Sequence, residues 1–460
     1  MSNSSAEGQE VRESQFGLDP DQFDAVMDML HAENWVGVCE KIESLHGANI
    51  ADFLENITHD ERHALIEVMR DRINPEVLAE LDETVREKVI EQLGPQEAAA
   101  VITELETDDA VSVIEDLEEA AQQEILQEIP EEDRVIIQDS LSYPEETAGR
   151  LMQRELVSVP AFWTVGEVID FLRTAEDLPR DFYDLFIIDP RHHPVGSVPL
   201  SRVLRSERPV RVEEIMDVSP DMIPVFMDQE EVAFLFRQLN LTSAPVIDDG
   251  GRLVGVITVD DVLDIIDEEA SEDIMRLGGV SEEDFYGALV DTTRSRFSWL
   301  LFNLMTAFLA SFVISFFEGA IERLVALAVL MPIVASMGGN AGTQSMTVAV
   351  RALAMKELTS TNAFRAVRKE VLVSAINGVF FAVLTGIAAG WWFHDAGIGA
   401  VIAAAMLVNL VVAGLAGTMI PMGLNRFGVD PAIASGTFLT TVTDVVGFLV
   451  FLGLAAFFLL

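Results

Sequence analysis

The chain is short of cations and almost without cysteine. Its 460 residues hold 29 Lys and Arg against 76 Asp and Glu, a formal net charge of −47, and only four of the bases are lysine. A deficit of that size removes the basic footprint that nucleic-acid binding needs, so no nucleic-acid partner is expected. The single cysteine, Cys39, excludes an intrachain disulfide framework. No Walker-type phosphate loop and no H-E-x-x-H zinc motif occurs, so the chain is not expected to be an enzyme. Its start, "MSNSSAEGQEVRESQ", is too polar for a signal peptide.

The acid excess is confined to one part. From Asp291 onward eight acids face nine bases, which leaves 68 acids and 20 bases in residues 1–290. The neutral part carries five apolar runs, 297–317, 324–350, 371–393, 397–424 and 432–460, each long enough for the ~20 residues that cross a bilayer. Arg294 and Arg296, then Arg351, Lys356, Arg365, Arg368 and Lys369, then Arg426 all fall on one side of these runs. The positive-inside rule makes that side cytoplasmic. The expected protein is therefore multi-pass in the cytoplasmic membrane, with its acidic N-terminal part inside and its C-terminus outside. The acid excess suits a halophilic cytosol, where salt at 1 M shortens the screening length to about 3 Å, and it equally suits carboxylates that bind cations.

Two kinds of repeat organise the acidic part. Leu45, Ile57, Met69, Leu81, Leu93, Leu105, Leu117, Ile129 and Leu141 recur every twelve residues, with Leu65, Val77, Val89, Val101, Val113, Ile125 and Ile137 at a second phase. Twelve residues make one short helix and a turn, and a stack of them predicts an all-α superhelical domain. From residue 150 the pattern becomes strands alternating with helices, and it duplicates. "DLFIIDPRHHPVGSVPLSRVL" and "SAPVIDDGGRLVGVITVDDVL" align without gaps at an offset of 59. This pair resembles tandem CBS domains. By that resemblance Gly255, Thr258 and Asp261 of the second copy hold the phosphate and ribose of ATP or another adenine nucleotide, whereas the first copy carries Gly196, Pro199 and Arg202 there. The same Gly and Asp also serve a plain strand, turn and helix cap.

Polar groups inside the apolar runs mark a path. "SMGGNAGTQS" lies in the second run, and its Asn340 and Gln344, with Thr347, fall on one helical face. Asp444 lies well inside the fifth run with Thr437, Thr440 and Thr441 on its side, and no base lies deep enough in any run to pair with it. An acid there costs about 2.5–3.5 kcal/mol, so a cation site is favoured over a neutral carboxyl bonded to another helix. Ahead of the first run, "DDVLDIIDEEASEDIMRLGGVSEEDFYG" places Asp261, Asp264, Glu268, Glu272 and Asp273 at helical spacings. These like charges form either a divalent-cation site or a solvated acidic face.

The whole set, above all "GGNAGTQS" and the block from "VDPA" to "TDVVG", resembles the MgtE family of magnesium channels and transporters. The implied fold is a multidomain membrane protein: polar tail 1–20, all-α superhelical N domain 21–143, α/β tandem CBS pair 144–212 and 213–267, acidic connecting plug helix 268–296, and a five-helix α transmembrane domain 297–460. The resemblance implies a pore lined by Asn340, with Gly338, Gly339, Gln344, Thr440 and Thr441 beside it, and Asp444 binding hydrated Mg2+. Asp430 would stand at the cytoplasmic mouth, and Asp261, Asp264, Glu269, Glu272 and Asp273 would help to hold regulatory Mg2+. One carboxylate per chain cannot satisfy an octahedral ion, so a homodimer with the pore on its twofold axis is implied. A proton-coupled carrier of divalent cations and a nucleotide sensor with a membrane anchor are the rival readings.

Overall fold

A period of twelve residues leaves room for about three helical turns, and that is what the chain builds. In the computed structural model, which describes residues 20–175, 178–218, 220–280, 289–359 and 361–460, ten short α-helices run from Pro20–His31 to Glu131–Leu141. The two periodic phases both point inward. Ile57, Met69, Leu81, Leu93, Leu117 and Ile129 are buried, as are Leu65, Val77, Val89, Val113, Ile125 and Ile137, in one continuous core. The polar tail lies, up to residue 19, outside the described residues.

The duplicated segment folds as two similar sheets. The first takes β1 (Ser158–Pro160), β2 (Asp184–Ile188), β3 (Pro194–Pro199) and β4 (Asp217–Val218), and the second takes β5 (Ile223–Pro224), β6 (Ser243–Ile247) and β7 (Leu253–Thr258). In both, the leading strand pairs parallel with the next and that one antiparallel with the third. Ile187 faces Gly196 in one and Val246 faces Gly255 in the other, each followed by a register shift, so the offset of 59 extends to the irregularity. The repeats also exchange chain. Gln153, ahead of β1, bridges Val256 of the second, while β4, ahead of β5, pairs with β3 of the first. Gly255 and Gly196 permit this, because a Cβ at either would meet Met152 or Met216 and the adjacent backbone.

A single helix, Val259–Gly278, follows β7. Thr258 starts it, donating from N and Oγ1 to Asp261 Oδ2 at 3.2 and 2.7 Å, so that Asp261 ties the first turn back to the preceding residue. No Gly or Pro interrupts it before Gly278, so the helix begins ahead of the boundary expected at 267/268. Residues 281–288 of the expected connector lie outside the described residues. The chain divides into two units, one ending at Glu268 and one starting at Glu269.

In the second unit five helices among the described residues are long and apolar enough to cross a membrane. They are Leu289–Ser315, Ala326–Ala354, Ala363–Trp392, Ala396–Arg426 and Pro431–Phe458, hereafter the first to fifth spans. The chain is a multi-pass membrane protein. Leu301, Met305, Phe308 and Phe312 of the first span and Ile376, Phe380, Val383 and Ile387 of the third are exposed, an outer surface suited to lipid. The fourth span is the most buried, and small residues let its neighbours approach. A Cβ on Gly399 would run into the Gly386 carbonyl and the Gly390 backbone, with no flexible atom to yield. Gly399→Leu is accordingly expected to part the third and fourth spans and destabilise the membrane unit by roughly 1–3 kcal/mol, read as a lower thermal midpoint in detergent.

Candidate metal centre and cation path

The fifth span begins on Asp430, whose Oδ1 accepts from the Ala432 amide at 2.7 Å and so caps the helix. Further along, Asp444 is half-buried, and its carboxylate makes no hydrogen bond or ion pair with any described residue. The nearby threonines are satisfied on their own helix. Thr440 donates to Gly436 O at 2.9 Å and Thr441 to Thr437 O at 2.7 Å. Thr440 is exposed and Thr441 partly so, and hydroxyls that donate inward keep oxygen lone pairs to offer outward. Thr437 differs: it is buried and donates to Asn303 Oδ1 of the first span at 2.8 Å.

The second span splits its polar motif between two faces. Asn340, Gln344 and Thr347 are exposed on the unit's surface, and Asn340 Nδ2 donates to Ser336 O at 2.8 Å. Gly339 has open space where a side chain would stand. Gly338, Gly342 and Ser345 face inward: Gly338 meets the Asn409 carboxamide and Gly342 meets Leu439. Ser345 donates to Glu370 Oε2 of the third span at 3.0 Å. Sequence reading passed over Glu370, because "VRKEVLV" reads as the basic edge of a run, and over Asn409, a lone amide among apolar residues. Intramembrane polarity was the available signal for both.

Beside Asp430, the residue expected at the mouth, the sequence reading missed a base. Arg276, in the last turn of the Val259–Gly278 helix, donates from Nη1 to Asp430 Oδ2 at 2.7 Å and pairs through Nη2 with Glu272. Burial, then the charges of Asp430 and Glu269, push the Asp273 carboxyl above its usual range. Two of the expected metal ligands, Asp430 and Glu272, thus share one guanidinium.

The first unit gathers a denser set. Asp261 lies with Glu106, Asp108 and Asp109 of the helical domain, and Gln153 Nε2 donates to both Glu106 Oε2 at 3.0 Å and Asp261 Oδ2 at 3.2 Å. Desolvation raises every one of these acids: Glu106 to about 7, and Asp109 and Asp261 to about 6. Neighbouring carboxylates push Glu106 and Asp109 further, while hydrogen bonds from Thr258 pull Asp261 back. Asp108 is raised too, by burial first and Asp261 next, and its enclosed Oδ1 has no hydrogen-bond partner. Asp264 is raised by burial, then by Asp260 and Asp267, and Glu80 by burial, then by Asp264. Crowded, poorly hydrated oxygen donors with an unsatisfied atom among them fit a hard divalent cation. Among the described residues no group of three or more His, Cys, Asp or Glu side chains converges on a metal position.

The nucleotide-type triplet is already engaged. Gly255 admits the Gln153 segment, and Thr258 and Asp261 cap the following helix.

Three families match successive parts of the chain: "MgtE intracellular N domain" at residues 45–146, "CBS domain" at 212–268 and "Divalent cation transporter" at 331–454. The magnesium transporter MgtE of Enterococcus faecalis is 35% identical over 323 residues, 70% of this chain and 71% of that protein. The Thermus thermophilus magnesium transporter MgtE is 34% identical over 325 residues, 70% of this chain and 72% of that protein. A solved cytosolic domain of the Mg2+ channel MgtE in complex with ATP superposes with a TM-score of 0.50 at 28% identity, covering 53% of this chain and 99% of that one.

Proposed function

The chain belongs to the MgtE family of divalent cation transporters, and on that premise we propose that it is a Mg2+-selective, Mg2+-gated channel for magnesium uptake across the cytoplasmic membrane. The observation that carries this reading is Asp444: a carboxylate within a membrane span, without a hydrogen-bond or ion-pair partner among the described residues, next to threonine oxygens and on the span that starts at Asp430. Such a group is costly unless a cation visits it. Asn340, Gln344, Thr440 and Thr441 supply neutral oxygens along the path, and a second copy of the chain supplies a second Asp444 to the hydrated ion. The acidic unit lies in the cytoplasm, since the basic loops share its side of the membrane.

Regulation follows from the crowded acids. When cytosolic Mg2+ is low, Glu106, Asp108, Asp109, Asp261 and Asp264 repel each other across the contact between the helical domain and the second repeat. Bound Mg2+ cancels that repulsion, and the Val259–Gly278 helix, through Glu269, Glu272 and Asp273, conveys the closed state to the mouth. ATP or another adenine nucleotide is the ligand proposed for the paired repeats, supported by the solved cytosolic domain of a Mg2+ channel MgtE in complex with ATP. To use Asp261 it must compete with the Thr258 cap and with the acid cluster, so nucleotide and regulatory Mg2+ would be thermodynamically linked.

Flux of Mg2+ into liposomes holding the purified protein tests the reading. It should follow the Mg2+ gradient alone; a requirement for a proton gradient would favour a coupled carrier, and no flux would refute transport. Removing residues 1–143 is expected to preserve permeation and weaken closure by Mg2+. The triple change Asp264→Asn, Glu272→Gln and Asp273→Asn is expected to abolish the protection from proteolysis that wild type gains as Mg2+ rises at fixed ionic strength. An unaltered titration would return these acids to a solvated helix face.

A further inference from the structure

Asn409 of the fourth span is fully enclosed, with 0% of the residue exposed. Its Nδ2 donates to the Val334 carbonyl of the second span at 2.9 Å, an interhelical bond 75 residues apart in sequence. Its Oδ1 is buried without a hydrogen-bond partner. Two glycines make the slot that admits the carboxamide. A Cβ on Gly338 of the second span would collide with Asn409, and one on Gly447 of the fifth would stand 2.9 Å from Nδ2 and 3.2 Å from Oδ1.

The slot therefore joins three spans at one point. Gly338 lies two residues before Asn340, and Gly447 lies three residues, about one helical turn, after Asp444. Burying an amide in a membrane interior while leaving one of its acceptors empty carries a cost that an alanine or leucine would avoid. Packing alone does not require it. Val334 and Gly338 are one turn apart, so the bond and the close approach fix both the rotation and the height of the second span against the fourth, and the Gly447 contact does the same for the fifth.

We propose that Asn409 is a positioning residue of the conduction path: it pins the second and fifth spans to the fourth and thereby sets the spacing between the Asn340 face and the Asp444 carboxylate. The proposal rests on the pore reading given above. It differs from a packing role in what it controls, because a hydrated Mg2+ must be met by oxygens at a defined radius, and loosening the pin alters affinity and discrimination rather than the amount of folded protein.

The test uses full-length protein in liposomes, with Asn409→Leu, which keeps bulk but loses the bond, and Asn409→Asp, which keeps shape but loses the donor. Half-saturating Mg2+ and the ratio of Mg2+ to Ca2+ flux are measured, both independent of how much protein is active. Each variant is expected to raise half-saturating Mg2+ by roughly 3- to 20-fold, the range carried by interhelical hydrogen bonds in membranes, and to lower the flux ratio. Unchanged values with only less active protein would overturn the proposal. If neither variant folds, Gly447→Ala, which keeps the amide and crowds it, should produce the same shift, and an unshifted curve there overturns it. Asp444→Asn is run in parallel. Wild-type flux in that variant would refute the pore reading itself, whereas loss of flux there with an unshifted Asn409→Leu refutes only the positioning role.

Discussion

Asp444→Asn is expected to reduce Mg2+ flux by roughly 100-fold, about 2.7 kcal/mol, while leaving the membrane unit folded. The amide matches the carboxylate in size, and no described residue depends on the carboxylate for a hydrogen bond, so packing has nothing to lose. What goes is charge. A unit charge attracts a divalent ion about 5 Å away by several kcal/mol at an effective dielectric near 20, and part of this is returned as the ion's hydration rearranges. Removing an unpaired charge from a membrane span relieves an insertion cost, so the variant should be at least as thermostable as wild type. Flux and thermal midpoint moving in opposite directions is the signature sought, and undiminished flux would remove Asp444 from the path.

The second large effect concerns acidity. Burial, with the like charges around them, raises Glu106 and Glu115 to about 7 and Asp109 and Asp261 to about 6. For Glu115 the nearby Arg150 offsets part of the burial effect. A carboxyl with a raised folded pKa binds its proton more tightly in the folded protein than in the unfolded chain, so ionising it costs stability. That cost is present at pH 8 and disappears as pH falls through 7 and 6, before the unfolded chain begins to protonate near pH 4. Metal-free protein at constant ionic strength is therefore expected to gain roughly 3 kcal/mol in its acidic unit between pH 8 and pH 5.5, after discounting the partly exposed groups. Saturating Mg2+ should flatten the profile by supplying at pH 8 the neutralisation that protons supply at pH 5.5. Thermal unfolding of the acidic unit in the intact protein measures both. A midpoint that drops on mild acidification would contradict the crowding of these acids.

What the sequence made visible was what local periodicity and duplication encode. A twelve-residue beat is a property of neighbouring residues, and the residues of both phases, from Ile57 to Ile137, reached the core. The repeat offset of 59 carries through to the structure, where the register shifts fall at the equivalent Ile187 and Val246. The five apolar runs became five long helices because bilayer thickness sets a length that composition alone reveals.

Long-range partners were hidden for the opposite reason. Nothing near Gly255 announces that Gln153, ahead of β1, crosses over to it. Asp430 could be recognised as an acid at the edge of a run, yet its bond to Arg276 spans 154 residues. Gly338 was expected beside Asn340 along the pore, and only the packing of three spans turns it toward Asn409. Charge clusters suffered similarly: the connector acids stood out, while Glu106, Asp108 and Asp109 belonged to an acidic background until folding brought Asp261 beside them.

If the proposed Mg2+ gating holds, Arg276 bears on its threshold. A cation in solution reaches the mouth carboxylate at its bulk concentration, whereas a guanidinium three turns or fewer from its helix's acids is tethered there at an effective concentration in the millimolar range or above. Mg2+ arriving at Asp430 must displace this resident competitor, or bind where the guanidinium does not reach. On the proposed gating, the protein would thus carry its own reference ion, one that dilution of the bath leaves unchanged, and the Mg2+ level for closure would be set against it.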